Sequence, residues 1–197
     1  ETTAISLEHV QSTFANAAPG DVARMDGAGR ADLYTQNVDG SYTAPVGLFT
    51  RLTRNNDGTF TERYSDGTRL EFQAAAADGL AQMESITDRN DNQLNFFYNE
   101  GRLTCILDVY DRSYDFFYDD QGHLVQLTDF DGRSVTYQYD SEGNLISTTS
   151  PSVTGTSTGN DFVNGRTWQY SYSSGLARRE ENHNLLSGTA PNEVAAG

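Results

Sequence analysis

Several groups of polar residues have types and spacings that could support chemistry. The stretch DRNDN places Asp88, Asn90 and Asn92 at alternate positions, as in a calcium-binding loop. Gln93 stands where such a loop requires Gly, and Asn99 stands where it requires a bidentate Glu. Calcium coordination and ordinary turn chemistry therefore both remain open for this stretch. No other cofactor is expected.

The residues most often used in catalysis are dispersed along the chain. His9, His123 and His183 lie far apart and share no ligand spacing with Cys105, which alternates with Leu103 as a buried strand residue would. Adjacent carboxylates at Asp119-Asp120 and Glu180-Glu181 are two among many, so no glycosidase pair can be selected. We expect no catalytic residue and no enzymatic activity.

Charge and composition limit the partners. The chain of 197 residues has 13 basic and 28 acidic residues, a net charge of −15, which would repel nucleic acid and anionic lipid. There is no apolar run long enough to span a bilayer, and any export signal must have been removed or lie upstream. Ten Phe, eleven Tyr and 18 Gly favour pleated sheet and tight turns. One cysteine rules out an internal disulfide framework.

The elements that carry these residues repeat at a fixed interval. Gly101, Gly122 and Gly143 open the phrases GRLTCIL, GHLVQL and GNLIST, and both intervals are 21 residues. Such regular self-similarity indicates an array of similar structural units. We expect consecutive antiparallel β-hairpins of about 21 residues.

One strand of each unit alternates between large and smaller side chains. This period of two predicts one large, mostly aromatic face on a sheet. We favour a core for this face over an exposed sugar-stacking surface, which is the competing interpretation. The column consists of Leu94, Phe96 and Tyr98, then Tyr114, Phe116 and Tyr118, then Val135, Tyr137 and Tyr139, then Trp168, Tyr170 and Tyr172.

The other strand of each unit breaks simple alternation. Leu103 and Ile106 are three residues apart, as are Leu124 and Leu127, so alternation alone cannot place both on one face. A β-bulge and a sheet that is apolar on both sides each account for this spacing.

The turns between the strands begin with Asp. Three residues further on, the backbone must be permissive, and this position holds Gly132 in one copy and Asp91 or Asp111 in the others. Asp tolerates the left-handed region better than most residues, so all three copies can form the same turn.

The remaining chain is divided by its turn signals. A short helix is expected in LEHVQSTFANAA at residues 7–18. The predicted segments are an irregular lead-in at 1–38, Asp-Gly hairpins at 39–78, and regular repeats at 79–175. The repeats contain an insertion loop at 150–165, and an incomplete further repeat follows at 176–197, without a second strand to complete it.

These features resemble the YD repeats of the Rhs-repeat family, which teneurins and Tc-toxin shells also carry. The resemblance lies in the Tyr-Asp dipeptides of YDDQGHL and YDSEGNL, in the Asp-x-x-Gly-Arg turn of DFDGRS, and in the fixed period. The clearest match extends over 79–172. Asp91 and Asp111 depart from the usual Gly, and Ser173 replaces the Asp after Tyr172.

The resemblance implies a curved or spiralling β-sheet that forms part of a hollow shell. It implies a non-enzymatic structural segment of a secreted or cell-surface protein, without the self-cleaving site or toxin cargo of such families. A few repeats cannot close a shell, so we expect a piece of a larger protein or a protomer in an assembly. Its partners would be neighbouring repeats or copies of itself, joined through open strand edges. A carbohydrate-binding or adhesive module is the alternative.

Overall fold

The computed structural model describes residues 4–6, 14–26, 28–159, 161–176 and 182–191. Strand pairing among them is antiparallel throughout, mostly between strands that follow one another in the chain. The prediction of an all-β fold of consecutive hairpins is therefore confirmed. The chain forms two compact units, Glu1–Arg112 and Ser113–Gly197. No helix in the described part of the chain is long and apolar enough to cross a membrane.

The first unit contains ten of the strands. They are β1 Ala4–Ser6, β2 Val22–Met25, β3 Ala31–Gln36, β4 Tyr42–Thr43, β5 Thr50–Arg54, β6 Phe60–Tyr64, β7 Arg69–Phe72, β8 Leu80–Thr87, β9 Gln93–Asn99 and β10 Arg102–Leu107. Strand β8 joins three runs of strands. One continues through β1, β2 and β3 to β4, another through β7 and β6 to β5, and the third through β9 to β10.

The fully buried core lies in this first unit. Side chains from β2 and β3 pack in one cluster with side chains from β5, β6, β7 and β8. Burying large apolar side chains in this way is the main stabilising term of a small β-domain. The buried members are Val22, Tyr34, Leu52, Phe60, Leu70, Phe72, Ala81 and Met83.

The second unit contains the most regular hairpins. Its strands are β11 Ser113–Tyr118, β12 Leu124–Thr128, β13 Ser134–Tyr139, β14 Leu145–Thr149, β15 Thr167–Tyr172 and β16 Leu185–Thr189. Each strand pairs with the next, from β11 to β16. Strand β16 lies in the predicted incomplete repeat at 176–197, and it pairs with β15.

The predicted N-terminal helix falls largely outside the described residues, because 7–13 are not among them. Residues 14–18 are described, and they form a turn with a hydrogen bond from the Ala17 N–H to the Phe14 carbonyl (3.0 Å) instead of a helix.

Candidate functional site

The turns that begin with Asp in the repeats share one hydrogen-bond pattern. In the 129–133 turn, the Asp129 N–H donates to the Arg133 carbonyl and the Gly132 N–H donates to the Asp129 carbonyl, both at 2.9 Å. Asp129 Oδ1 accepts from the N–H groups of Asp131 and Arg133, both at 3.0 Å, and Oδ2 accepts from Arg133 Nε at 2.7 Å. The carboxylate thus satisfies donors that the turn leaves unpaired. The same two backbone bonds close the turns that begin at Asp88, Asp108, Asp119 and Asp140.

These hydrogen bonds favour the ionised carboxylate. The side-chain hydrogen bond from Arg133 is the largest cause that lowers the pKa of Asp129. A side-chain hydrogen bond from Asn144, followed by one from its backbone N–H, lowers the pKa of Asp140. Donors directed at the charged form stabilise it relative to the neutral acid. The acidic turns are therefore structural caps that work best when deprotonated.

The fourth residue of these turns adopts the left-handed conformation. Gly132 has φ 76°, and the predicted substitutes Asp91 and Asp111 have φ 63° and 59°. The prediction that Asp can replace Gly at this position is therefore confirmed. A type I turn followed by one left-handed residue is a common hairpin connection.

The calcium candidates Asp88, Asn90 and Asn92 lie together in one such turn. Asp88 Oδ1 accepts from the N–H groups of Asn90 (2.7 Å) and Asn92 (3.0 Å), and Oδ2 accepts from Asn92 Nδ2 (2.8 Å). Both carboxylate oxygens thus accept hydrogen bonds within the turn. In the described ranges, no three His, Cys, Asp or Glu side chains form a group that could hold a metal ion.

In two longer turns a serine replaces the first Asp, and its backbone N–H and side-chain oxygen both bond to the last residue of the turn. The Ser150 N–H donates to the Arg166 carbonyl (2.8 Å), and the Arg166 N–H donates to Ser150 Oγ (2.9 Å). The predicted insertion loop therefore lies within a single turn, where Ser150 replaces the usual Asp. Ser173 does the same in the last hairpin, because its N–H donates to the Asn184 carbonyl (2.9 Å) and its Oγ accepts from the Asn184 N–H (3.1 Å).

The three glycines that define the 21-residue interval are not structurally equivalent. Gly122 and Gly143 are the fourth residues of five-residue turns that begin at Asp119 and Asp140. Gly101 instead follows Glu100 in a two-residue hairpin turn, where φ is 49° for Glu100 and 79° for Gly101. Two consecutive positive φ values are typical of a type I′ turn. Equal spacing therefore conceals two kinds of turn.

A β-bulge explains the three-residue spacing of Leu103 and Ile106, for which the sequence allowed two interpretations. Leu103 lies opposite Tyr98 and Ile106 lies opposite Phe96, because Thr104 is an extra residue in β10. Both side chains therefore lie on the face of the aromatic column, although they are three residues apart. The same shift recurs in β12, where Leu124 lies opposite Tyr118 and Leu127 lies opposite Phe116.

Tyrosine hydroxyls connect successive hairpins of the second unit at these bulges. The Tyr139 hydroxyl donates to the Leu124 carbonyl and the Tyr172 hydroxyl donates to the Leu145 carbonyl, both at 3.0 Å. Each acceptor adjoins the extra residue of a bulge, where the ladder of backbone hydrogen bonds is disrupted. The Tyr of the Tyr-Asp dipeptide therefore joins its own hairpin to the preceding one.

Tyr98 occupies the corresponding position in the first unit but differs from these two. Its hydroxyl is buried and has no hydrogen-bond partner among the described residues. Burial raises its pKa to about 12, because the phenolate would lose its hydration there.

The aromatic column is only half-buried within this chain. Its members are placed on β9, β11, β13 and β15, and among the described residues from 94 onward no apolar side chain is fully buried. Leu94 and Trp168 are the most open members, each 37% exposed. The expectation that this column forms a buried core is therefore wrong for the chain by itself, and the fully buried core is formed by residues between 22 and 83 instead.

Apart from Phe117 on β11, the opposite face of the second unit is mostly polar, and several of its side chains form hydrogen bonds across strands. Thr128 Oγ1 and Ser134 Oγ are 2.9 Å apart, as are the hydroxyls of Thr149 and Thr167. Such pairs stabilise neighbouring strands. The two faces of this sheet thus differ in chemistry, one being aromatic and the other bearing hydroxyl and amide groups.

Among the described residues, the histidines and the cysteine belong to no group of three or more His, Cys, Asp and Glu side chains that could hold a metal ion. His123 Nδ1 contacts Asp119 Oδ2 (2.9 Å) and its ring stacks on Tyr139, with centroids 4.6 Å apart. His183 lies in the last turn, and its Nδ1 is 3.1 Å from Nδ2 of Asn144 in the 140–144 turn. Cys105, which the sequence predicted to be buried, is only half-buried on β10. His9 and the Glu180-Glu181 pair lie outside the described residues.

A buried ionic cluster in the first unit was not predicted. Glu62 is fully buried, accepts a hydrogen bond from the Tyr34 hydroxyl (2.7 Å), and pairs with Arg24 (Nε to Oε2, 3.1 Å). Arg24 also lies 3.6 Å from Asp32 and donates to the Tyr64 hydroxyl (3.0 Å). Strand alternation already placed Glu62 on the same face as Phe60 and Tyr64, which is the signal that sequence reasoning missed.

Comparison with known proteins identifies the repeat. Residues 118–152 match the family model RHS Repeat. A search of curated proteins finds no match. The chain is also similar to a chain in the crystal structure of TcdB2-TccC3-Cdc42, with 17% sequence identity and a TM-score of 0.45. The match covers 92% of this chain and 10% of that one, so the chain spans about a tenth of its length.

The matched residues include the turns that begin at Asp119, Asp129 and Asp140, and the Tyr139 contact to the bulge at Leu124. The predicted resemblance is confirmed over this segment, because residues 118–152 match the RHS Repeat family model.

Proposed function

We propose that the chain is a non-enzymatic structural segment of a secreted or cell-surface Rhs-repeat protein, in which it forms part of a curved β-shell or an extended assembly. The observation that carries the proposal is the pair of tyrosine contacts between successive hairpins, Tyr139 to Leu124 and Tyr172 to Leu145. Because each hairpin offers the next one the same bulge, further hairpins can be added in the same way.

The use of the polar groups supports a structural role. The first carboxylate of each acidic turn accepts backbone N–H groups of its own turn, as Asp129 and Asp140 do. A catalytic acid or base must instead reach a substrate and exchange a proton with it. The recurring acids of this chain are occupied in closing turns.

The last strand supports growth of the sheet. Strand β16 pairs with β15 on one side, and within the described ranges no strand pairs with its other side. An open edge presents unpaired N–H and C=O groups, which another strand can extend. A strand of a neighbouring repeat or of another copy is the partner that this edge fits.

Hydrogen exchange tests the proposal. In the 197-residue chain, the amides of 185–189 that face away from β15 should exchange quickly, and in the protein purified from its source organism they should be protected. Strand β13, which is paired on both sides, is the control and should be protected in both samples. Equal, fast exchange of the β16 edge in both samples would contradict the proposal.

Two further measurements address location and the competing function. Cell fractionation should place the native protein in the medium or at the cell surface. A glycan array with the purified chain tests the sugar-binding alternative, and specific binding that is lost in Trp168→Ala would favour that alternative.

A further inference from the structure

Three arginines lie side by side across the first unit. Arg51 on β5 is directly opposite Arg63 on β6, and Arg63 is directly opposite Arg69 on β7. Residues that face each other in this way project from the same side of a sheet. Leu52, Glu62 and Leu70, their neighbours in sequence, are buried, so this arginine row lies on the face away from the core.

The fold does not neutralise the row. Arg69 pairs with Glu71 (Nε to Oε1, 2.8 Å), whereas Arg51 and Arg63 are exposed and have no ion pair in the part of the chain that the structure describes. Three arginines and one glutamate leave a local charge of 3 − 1 = +2. The carboxylate of Asp66, in the adjoining turn, accepts the N–H of Thr68 (2.8 Å).

The arginine row therefore destabilises the sheet that carries it. Like charges directly opposite each other destabilise a β-sheet. The chain as a whole carries −15 and has carboxylates available to alternate with these arginines, yet none lies between them. A row that weakens its own sheet is best explained by a ligand that compensates it.

The next position of the row is also unusual. Thr87 on β8 lies directly opposite Arg69, is 4% exposed, and has a buried hydroxyl without a hydrogen-bond partner among the described residues. Buried hydroxyls in folded proteins are normally paired. The row thus ends at a polar group that its own fold leaves unsatisfied.

We propose that the arginine row binds a short acidic segment of another polypeptide through its carboxylates. Guanidinium groups match carboxylates in a two-pronged geometry. Three neighbouring strands span about 10 Å, and same-side residues of an extended peptide are about 7 Å apart, so two carboxylates on one side of the peptide fit the row. The net charge of −15 would repel a long polyanion such as nucleic acid, but it penalises a short segment less.

The test uses the 197-residue chain and a fluorescent peptide of ten aspartates, with a ten-serine peptide as the reference. The double variant Arg51→Gln/Arg63→Gln should bind the aspartate peptide at least about tenfold more weakly. Arg166→Gln, an exposed arginine beside Phe162 in the insertion loop, is the matched control and should bind like the parent. The melting temperature of the double variant should be unchanged or higher, because the repulsion is removed.

Other outcomes would overturn the proposal. These are equal binding of the aspartate and serine peptides, an unchanged affinity in the double variant, or tighter binding of a single-stranded oligonucleotide than of the aspartate peptide. Self-association of the chain that the double variant abolishes would assign the row to a second copy instead. A fall in melting temperature would show that the row stabilises the sheet.

Discussion

The contact between Tyr139 and the preceding hairpin gives the sharpest prediction. Tyr139→Phe removes the hydroxyl that donates to the Leu124 carbonyl at 3.0 Å but keeps the ring that stacks on His123. A neutral hydrogen bond contributes about 0.5–1.5 kcal/mol net, so the variant should lose about that much free energy of unfolding. For a chain of this size, the loss corresponds to a melting temperature lower by about 1–6 °C.

Urea unfolding and calorimetry measure this effect, and Tyr137→Phe is the matched control. Tyr137 lies on the same strand and its hydroxyl makes no hydrogen bond to any described residue, so its variant should stay within about 0.5 kcal/mol of the parent. Equal stabilities of the two variants would refute the idea that the tyrosine hydroxyl joins successive hairpins. A Tyr139→Phe protein more stable than the parent would refute it as well.

Other parts of the molecule yield further predictions. Glu62→Gln should cost about 1.5–3 kcal/mol in denaturant unfolding, because Arg24 loses its closer carboxylate partner and keeps only the 3.6 Å pair with Asp32. The exposed Glu84→Gln should change the free energy of unfolding little. Asp129→Ala should lower the melting temperature more than Asp131→Ala, because only Asp129 accepts backbone N–H groups of the turn. The pKa values of the capping aspartates Asp129 and Asp140 are lowered in the folded protein. The stability that these carboxylates contribute should therefore be present above pH about 4 and be lost as the pH falls through their folded pKa values. Thermal melts at a series of acidic pH values would show this loss. Millimolar calcium should leave the melting temperature unchanged, because the 88–92 turn already engages its carboxylate; a clear rise would establish the calcium site.

Turn chemistry is the part of this fold that sequence predicts best. The left-handed conformation of Asp91 and Asp111 follows from local sterics and requires no tertiary contact. The insertion loop at 150–165 was also visible in sequence. The sequence did not show that Ser150 and Arg166 would close the turn around this loop, because closure depends on two groups that are far apart in the chain.

Burial was harder to predict than strand identity. The alternation that places Tyr137 and Tyr139 on one face is local, whereas the fraction of each ring that is covered depends on what packs against that face. Within this chain the column remains half-buried. The buried pair of Arg24 and Glu62 was missed for a similar reason, since nothing in sequence shows that residues 38 positions apart will share a core.

The sequence by itself determined the all-β class, the hairpin units, the family resemblance and the residues that close the five-residue turns. These features depend on side chains within a few positions of one another. Only the tertiary structure decided between a bulge and a two-sided apolar wall, and only it aligned Arg51, Arg63 and Arg69 across three strands. Strand register fixes both outcomes, and a shift of one residue would send each of these side chains to the opposite face.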